Sequence, residues 1–254
     1  MAVKTKKETS WGGVAHWYDT LLAGDDTYQT RVILPNILRA MAIKKSERVL
    51  DLGCGQGFFT RAFFNEGATA TGVDLSKELI AIAKKEALAG VQFFAGSAED
   101  LSRFPDGSFD KVAMVLAVQN MEAPHTVFKE CMRVLKKDGS LFIVINHPAF
   151  RVPKESDWGF DEEKKVQYRR VDKYLSESKV VIEMNPGKKV GATTVSFHRP
   201  LQYFFKTLAN SGFAVARLEE WISHKESEKG PRKVAEDQAR KEIPIFMMIE
   251  AVKR

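Results

Sequence analysis

Two carboxylates and a run of glycines in the first third of the chain have the types and the spacing needed to bind a ribose-containing ligand. Asp51 precedes the sequence Gly53-Cys54-Gly55-Gln56-Gly57, and Asp74 follows about 20 residues after these glycines. Glycines permit positive φ and let a ligand approach the backbone closely. An acid at this separation from such a turn is placed to accept hydrogen bonds from both ribose hydroxyls. An ordinary strand–helix turn and a helix cap are the structural alternatives for the glycines and for Asp74.

Two related nucleotide-binding motifs are not matched. The dinucleotide fingerprint requires its third glycine one position after Gly57, where this chain has Phe58. The Gly-Lys-Ser/Thr ending of a P-loop is absent from the sequence. A nicotinamide dehydrogenase is therefore disfavoured, and the glycines alone do not identify the ligand.

Two histidines are candidates for proton transfer. His147 follows the fifth predicted strand, residues 141–145, and His198 opens a predicted helix, residues 200–210. Histidine titrates near neutral pH, so either side chain could act as a general base. We predict both as catalytic candidates, with a capping or core role as the alternative for each.

The elements that must position these residues alternate along the chain. Short apolar runs that end at glycine or at polar residues are typical of buried parallel strands. The predicted strands are residues 48–52, 68–73, 91–95, 109–116, 141–145, 213–218 and 246–252. The predicted helices between them are residues 58–66, 77–88, 125–135 and 200–210. This alternation predicts an α/β fold with a Rossmann-like, doubly wound, mostly parallel sheet of seven strands.

The alternation stops after the fifth predicted strand. Residues 147–175 show no clear period, and residues 179–184 and 192–198 are β-like runs joined by Asn185-Pro186-Gly187. A Pro-Gly turn between two such runs predicts a β-hairpin. The predicted insertion follows the carboxyl end of a strand, which is the edge where open α/β sheets bind ligands.

At this point residues 45–146 resemble the class I S-adenosylmethionine-dependent methyltransferases, especially the methyltransferase-11 group that includes enzymes of ubiquinone and menaquinone biosynthesis. The resemblance rests on the glycine turn, on Gly72-Val73-Asp74-Leu75-Ser76, on Gly96-Ser97-Ala98-Glu99-Asp100-Leu101 and on the loop at residues 104–112, which follow the family's order and spacing. It implies S-adenosylmethionine as the cofactor and in-line methyl transfer to an oxygen, nitrogen or carbon atom.

The resemblance also implies residue roles. The acid at Asp51 anchors the glycine turn and the amino end of the methionine moiety, partly through water. Asp74 holds the ribose diol, and Leu75 packs on adenine. Many relatives have Asp where this chain has Ser97, and a hydroxyl accepts from the adenine amino group less strongly than a carboxylate. The further cofactor-binding positions that the resemblance implies are Gly53, Cys54, Gly55, Ala98, Glu99 and Leu116.

Residues 11–19 resemble the lid that precedes the first strand in these enzymes, with Tyr18 closing over the cofactor. Packing of a helix onto the sheet is the alternative role for this segment. The whole chain is then predicted as one methyltransferase domain, residues 1–254. Its parts are a helical lid (1–45), a cofactor-binding core (46–146), an acceptor-side insertion (147–198) and a C-terminal helix with the last two strands (199–254).

The composition bears on the compartment, the metal content and the membrane association of the protein. The chain has 254 residues and two cysteines, and it lacks both a closely spaced Cys/His set and an apolar run of the roughly 20 residues that span a membrane. We therefore expect a cytoplasmic protein with no metal and no membrane partner. The net charge is +6, of which residues 151–254 contribute +5.

The acceptor is predicted from the second half of the chain. Arg169 and Arg170 suit an anionic acceptor, with a solvated, self-paired charge run as the alternative. A set of aromatic residues suits a flat organic acceptor, with a place in the core as the alternative: Phe150, Trp158, Phe160, Phe197, Tyr203 and Phe204. A small-molecule acceptor, anionic or aromatic, is the leading prediction. An RNA or protein methyltransferase and a non-catalytic S-adenosylmethionine-binding protein are the alternatives.

Overall fold

The computed structural model of the protein describes residues 10–14, 24–184 and 192–254. Its strands are β1 (Arg48–Leu52), β2 (Thr69–Asp74), β3 (Gln92–Ala95), β4 (Phe109–Val115), β5 (Leu135–Asn146), β6 (Ser156–Asp161), β7 (Val166–Val171), β8 (Ser178–Met184), β9 (Ala192–His198), β10 (Phe213–Trp221) and β11 (Phe246–Lys253). Its α-helices are α1 (Leu34–Met41), α2 (Phe58–Asn65), α3 (Lys77–Lys85), α4 (Pro124–Val134), α5 (Leu201–Asn210) and α6 (Lys233–Glu242).

Seven strands form one sheet in the order β10-β11-β5-β4-β1-β2-β3. The five strands from β5 to β3 run parallel to one another. β11 pairs antiparallel with β5, and β10 pairs antiparallel with β11. The predicted mostly parallel sheet of seven strands is therefore confirmed.

Helices cover both faces of this sheet. Along β5, Leu141 and Ile143 pack with α4 and α5, whereas Phe142 and Val144 pack with α1 and α2 on the opposite face. All four side chains are almost completely buried. Since a strand buried on both faces needs apolar residues at every position, these strands read as unbroken apolar runs.

Local signals explain where several helices begin. The hydroxyl of Ser76 accepts a hydrogen bond from the N–H of Leu79 at 3.1 Å and caps α3. Pro35 lies in the first turn of α1. A π-helical turn, Gln29–Ile33, leads directly into α1. Residues 24–27 form turns and bends, so the helical region is shorter here than the sequence predicts.

The insertion after β5 contains two hairpins, β6–β7 and β8–β9. The second was predicted, although its turn at residues 185–187 lies outside the described residues. The first was not predicted, because its inward positions in β7 include Gln167 and Arg169 while Val166 and Tyr168 face outward. More buried and more exposed positions alternate along the strand, but apolar and polar residues do not alternate in step with them.

The charged segment between β10 and β11 contains α6, which packs near β7. None of the helices in the described part of the chain is long and apolar enough to cross a membrane.

Candidate active site

The glycine turn after β1 is tied to the end of β2. The N–H groups of Gly53 and Cys54 donate to the carbonyl oxygen of Val73 at 2.8 and 3.1 Å. The N–H of Gly55 donates to Oδ2 of Asp74 at 2.9 Å. The backbone of the turn is therefore held against the carboxylate predicted to bind ribose.

Glycine is required at the first position of this turn. Gly53 has a φ of +73°, and a Cβ there would lie 2.5 Å from Cβ of Ala117. Residues other than glycine rarely adopt this backbone conformation. The turn after β1 and the segment after β4 consequently touch through bare backbone at the edge of the sheet.

A cavity of about 420 Å³ opens at this edge, where β1, β2, β3 and β4 end. This volume lies within the usual range for small-molecule sites. The sequence-predicted residues that line it are Gly53, Gly55, Asp74, Leu75, Ser97, Ala98, Glu99 and Leu116. The structure thus brings residues that follow four different strands together around one space.

Asp74 is held in place at the cavity wall by backbone donors. Its Oδ1 accepts from the N–H of Ser76 at 2.8 Å, and its Oδ2 accepts from Gly55. Burial raises the pKa of this carboxyl, while the backbone hydrogen bonds act in the opposite direction. An ionised carboxylate can accept more than one hydrogen bond at each oxygen, so Asp74 retains acceptor capacity for ligand hydroxyls.

Asp51 lies beneath the turn and does not line the cavity. Its Oδ2 accepts a hydrogen bond of 2.6 Å from the hydroxyl of Thr60 in α2. Burial raises the pKa of Asp51 to about 7, and the nearby charge of Asp74 adds to the effect. Cys54 is likewise buried outside the cavity lining, and burial raises the pKa of its thiol.

The turn after β4 forms part of the cavity wall and has a strained backbone. Leu116 has a φ of +55°, which is uncommon for a residue with a side chain. Its N–H donates to the carbonyl oxygen of Val144 at 2.8 Å, and its own carbonyl oxygen accepts from Nδ2 of Asn120 at 3.1 Å. Backbone strain of this kind is concentrated at functional sites.

Neither predicted catalytic histidine lines the cavity. Nε2 of His147 lies 2.7 Å from Oε1 of Glu220, and its Nδ1 accepts from the N–H of Ala149. Burial lowers the pKa of His147, against the opposing effect of Glu220. Nε2 of His198 lies 2.7 Å from the carbonyl oxygen of Tyr174. Since each ring is buried and bonded elsewhere, the structure does not support direct proton transfer between either histidine and a ligand in the cavity.

Two further lining residues belong to segments that the sequence pointed to. Trp11, in the 3₁₀ turn Ser10–Val14, lies in the segment that resembles the lid, and Phe197, in the β8–β9 hairpin, is one of the aromatic residues predicted for the acceptor. The sequence did not single out Asn120, Met121 and Glu122 after β4, or Lys179 and Val195 of the hairpin, which also line the cavity. Tyr18, the predicted lid residue, lies outside the described residues.

Comparisons with known proteins agree with this arrangement. Residues 50–143 match the family model described as "Methyltransferase domain". The ubiquinone biosynthesis O-methyltransferase of Xanthomonas oryzae pv. oryzae strain PXO99A is 35% identical over 99 residues, 38% of this chain and 41% of that protein. The corresponding enzyme of Xanthomonas axonopodis pv. citri is 36% identical over the same length. The chain thus matches less than half the length of these relatives.

Solved structures extend the similarity to most of the chain. The S-adenosylmethionine-dependent methyltransferase of Mesorhizobium loti has a TM-score of 0.68 and 26% identity, covering 90% of this chain and 99% of that one. A structure from Listeria monocytogenes, with a TM-score of 0.66 and 24% identity, covers 87% of this chain and 98% of that one and shows the shared fold. Residues 50–143 thus match a methyltransferase domain, and the similarity to a solved S-adenosylmethionine-dependent methyltransferase extends over most of the chain.

Proposed function

We propose that this protein is an enzyme that transfers the methyl group of S-adenosylmethionine to a nucleophile on a small molecule. The observation that carries the proposal is the single cavity in which the glycine turn, Asp74 and the Ser97–Glu99 segment meet the wall formed by the β8–β9 hairpin. One end of this cavity has groups suited to an adenosyl moiety, and the other end is left for an acceptor.

The residues at the first end fit the proposed cofactor. Asp74 offers carboxylate oxygens to a ribose diol, and Leu75 offers an apolar side chain to an adenine ring. The missing side chains at Gly53 and Gly55 let a ligand lie directly on the backbone. Asp51, buried behind the turn, ties the end of β1 to α2 through its hydrogen bond with Thr60.

When bound, the cofactor would supply an electrophilic methyl group on a sulfonium, and an acceptor atom would attack the methyl carbon in line, with S-adenosylhomocysteine as the leaving group. The protein's contribution is to align the acceptor and to shield the reaction from water. Phe197, Val195 and Met121 give the second end an apolar surface for this purpose. In this proposal the carboxylate of Glu122 replaces the histidines as the acceptor of the nucleophile's proton.

An oxygen nucleophile is our first choice. Support comes from the Xanthomonas oryzae relative, which is called a ubiquinone biosynthesis O-methyltransferase. A hydroxyl attached to an aromatic ring would also suit the apolar wall around Phe197. We therefore propose a phenolic small molecule as the acceptor class.

The test is to incubate the purified protein with S-adenosylmethionine and matched catechols, anilines and thiols, and to measure S-adenosylhomocysteine formation. We expect turnover with catechols, and a rate at least about tenfold lower in Glu122→Gln because general-base catalysis typically contributes that much or more. Glu163→Gln, at an exposed position outside the cavity lining, is the matched control. Cofactor binding without turnover on any acceptor would favour a non-catalytic binding protein.

A further inference from the structure

Four charged side chains of the described part of the chain line the cavity. Three of them are acidic, namely Asp74, Glu99 and Glu122. Among the described residues, Lys179 of β8 is the one cationic side chain in the lining. Any anionic group that enters this space therefore has one positively charged partner in its wall.

Lys179 forms a weak ion pair with Glu122. Nζ of Lys179 lies 3.7 Å from Oε1 of Glu122, with 58% and 66% of the two side chains exposed. This separation is too long for a hydrogen bond, and exposed ion pairs of this kind contribute little to stability. A ligand anion can thus replace Glu122 at small cost.

A second cation strengthens the positive charge at the same place. Nζ of Lys179 lies 5.5 Å from the centre of the Phe197 ring, and the guanidinium of Arg199 lies 4.8 Å from that centre. Arg199 is only 5% exposed, and its Nη1 has no hydrogen-bond partner. Its nearest carboxylate, Glu177, is 3.9 Å from Nε and 59% exposed, so solvent screens much of the compensation.

Arg199 also fixes the wall opposite Lys179. Its Nη2 donates to the carbonyl oxygens of Met121 and Glu122, each at 3.0 Å. The segment that carries Glu122 is thereby held against the end of the β8–β9 hairpin. Arg199 acts here as a positioning residue, since it does not itself line the cavity.

We propose that Lys179 is an anion-binding residue of this cavity, and that it receives a carboxylate carried by one of the two small molecules that meet there. The inference rests on the proposed function, which supplies both molecules. The carboxylate belongs either to the methionine moiety of the cofactor or to the acceptor. Its recognition is the same in both cases, namely a charge-assisted hydrogen bond from Nζ in a partly apolar setting.

The first arm of the test uses two cofactor analogues that differ by the amino-acid part. S-adenosylhomocysteine carries the carboxylate, and 5′-methylthioadenosine does not. If the cofactor's carboxylate is the ligand, Lys179→Met weakens S-adenosylhomocysteine binding about tenfold in calorimetry and leaves methylthioadenosine unchanged, because a hydrogen bond to a charged group is lost. Lys179→Arg, which keeps the charge, should retain most of the affinity.

The second arm uses benzoate and its neutral counterpart benzamide as probes of the protein saturated with S-adenosylhomocysteine. If the acceptor's carboxylate is the ligand, benzoate binds more tightly than benzamide, and Lys179→Met abolishes the difference. In whichever arm responds, Glu122→Gln should tighten binding of the anionic ligand about two- to fivefold, because it removes the competing exposed ion pair.

Lys164→Met is the matched control, since Lys164 is an exposed lysine of the same insertion with a loose 3.9 Å pair to Asp161 and lies outside the cavity lining. It should change neither arm. If Lys179→Met alters neither arm while wild-type protein binds S-adenosylhomocysteine, the anion-binding role is wrong and the proposed function stands. If wild-type protein takes up no S-adenosylhomocysteine, both fail together.

Discussion

At the scale of single residues, Asp74 is the side chain that links the glycine turn to the cavity. Its two oxygens accept from the N–H groups of Gly55 and Ser76 and still have lone pairs for ligand hydroxyls. A carboxamide at this position would offer one accepting oxygen and no charge. The geometry of the turn and the proposed binding of ribose therefore depend on the same carboxylate.

We predict that Asp74→Asn weakens S-adenosylhomocysteine binding about 10- to 100-fold, because charge-assisted hydrogen bonds to the ribose hydroxyls are lost. Calorimetric titration measures the change. Asp138→Asn is the control, since Asp138 is exposed and has a positive φ that asparagine also tolerates. Equal affinities of Asp74→Asn and wild type would contradict the assigned role.

Asp51 makes stability depend on pH. Burial raises its pKa to about 7 in the folded chain, whereas an unfolded chain has an aspartate pKa near ~3.9. The folded state therefore binds more protons than the unfolded state between these values. It follows that Asp51 lowers the free energy of unfolding as pH rises through this window.

Asp51→Asn should remove that dependence. The free energy of unfolding of the variant, minus that of wild type, should increase with pH by up to about 1.4 kcal/mol per unit between about pH 5 and pH 7. Urea denaturation at several pH values measures this difference. A difference that stays constant with pH would show that Asp51 does not hold its proton as the buried site requires.

At the scale of secondary-structure elements, the site depends on how closely the turn after β1 approaches the segment after β4. The space for a Cβ at Gly53 is already occupied by Ala117, and the positive φ adds backbone strain for any side chain. The two elements can meet only if this position stays glycine.

Gly53→Ala is accordingly predicted to lower the free energy of unfolding by about 1–3 kcal/mol, the usual cost of forcing an added methyl group into a packed space. It should also weaken cofactor binding, since the turn must shift. Gly230→Ala, where no atom lies within 4 Å of the added Cβ, is the control. Denaturation and calorimetry on both variants test the prediction, and matching results for the two would overturn it.

The N-terminal 3₁₀ turn places Trp11 in the cavity wall. We predict that Trp11→Ala weakens S-adenosylhomocysteine binding about two- to tenfold through loss of aromatic contact. In Trp11→Phe the fluorescence change on binding should shrink, whereas Trp158→Phe, outside the cavity lining, should keep it. An unchanged signal in Trp11→Phe would show that the turn does not contact the ligand.

The sequence predicts some of these elements better than others for physical reasons. The strands from β1 to β5 were predicted because a strand buried on both faces consists largely of consecutive apolar residues. The first hairpin of the insertion was missed because Gln167 and Arg169, not apolar residues, point inward. Long-range packing places Glu122 and Lys179 side by side and buries His147 and His198. Local sequence patterns do not predict contacts between residues so far apart in the chain.

At the scale of the whole molecule, the loops of the sheet carry the proposed cofactor site, and the insertion carries the proposed acceptor wall. The Mesorhizobium loti similarity spans 90% of this chain, whereas the Xanthomonas oryzae relative matches over 38% of it. The methyltransferase-domain match, residues 50–143, includes the glycine turn and Asp74. Differences in acceptor are therefore expected to reside in residues 147–198.

The most direct test of the account is a calorimetric titration of the purified wild-type chain with S-adenosylhomocysteine. We predict saturable uptake of one molecule per chain, accompanied by a thermal stabilisation that grows with ligand concentration. Heats indistinguishable from dilution, with an unchanged melting temperature at millimolar ligand, would contradict the claim that this cavity holds the cofactor.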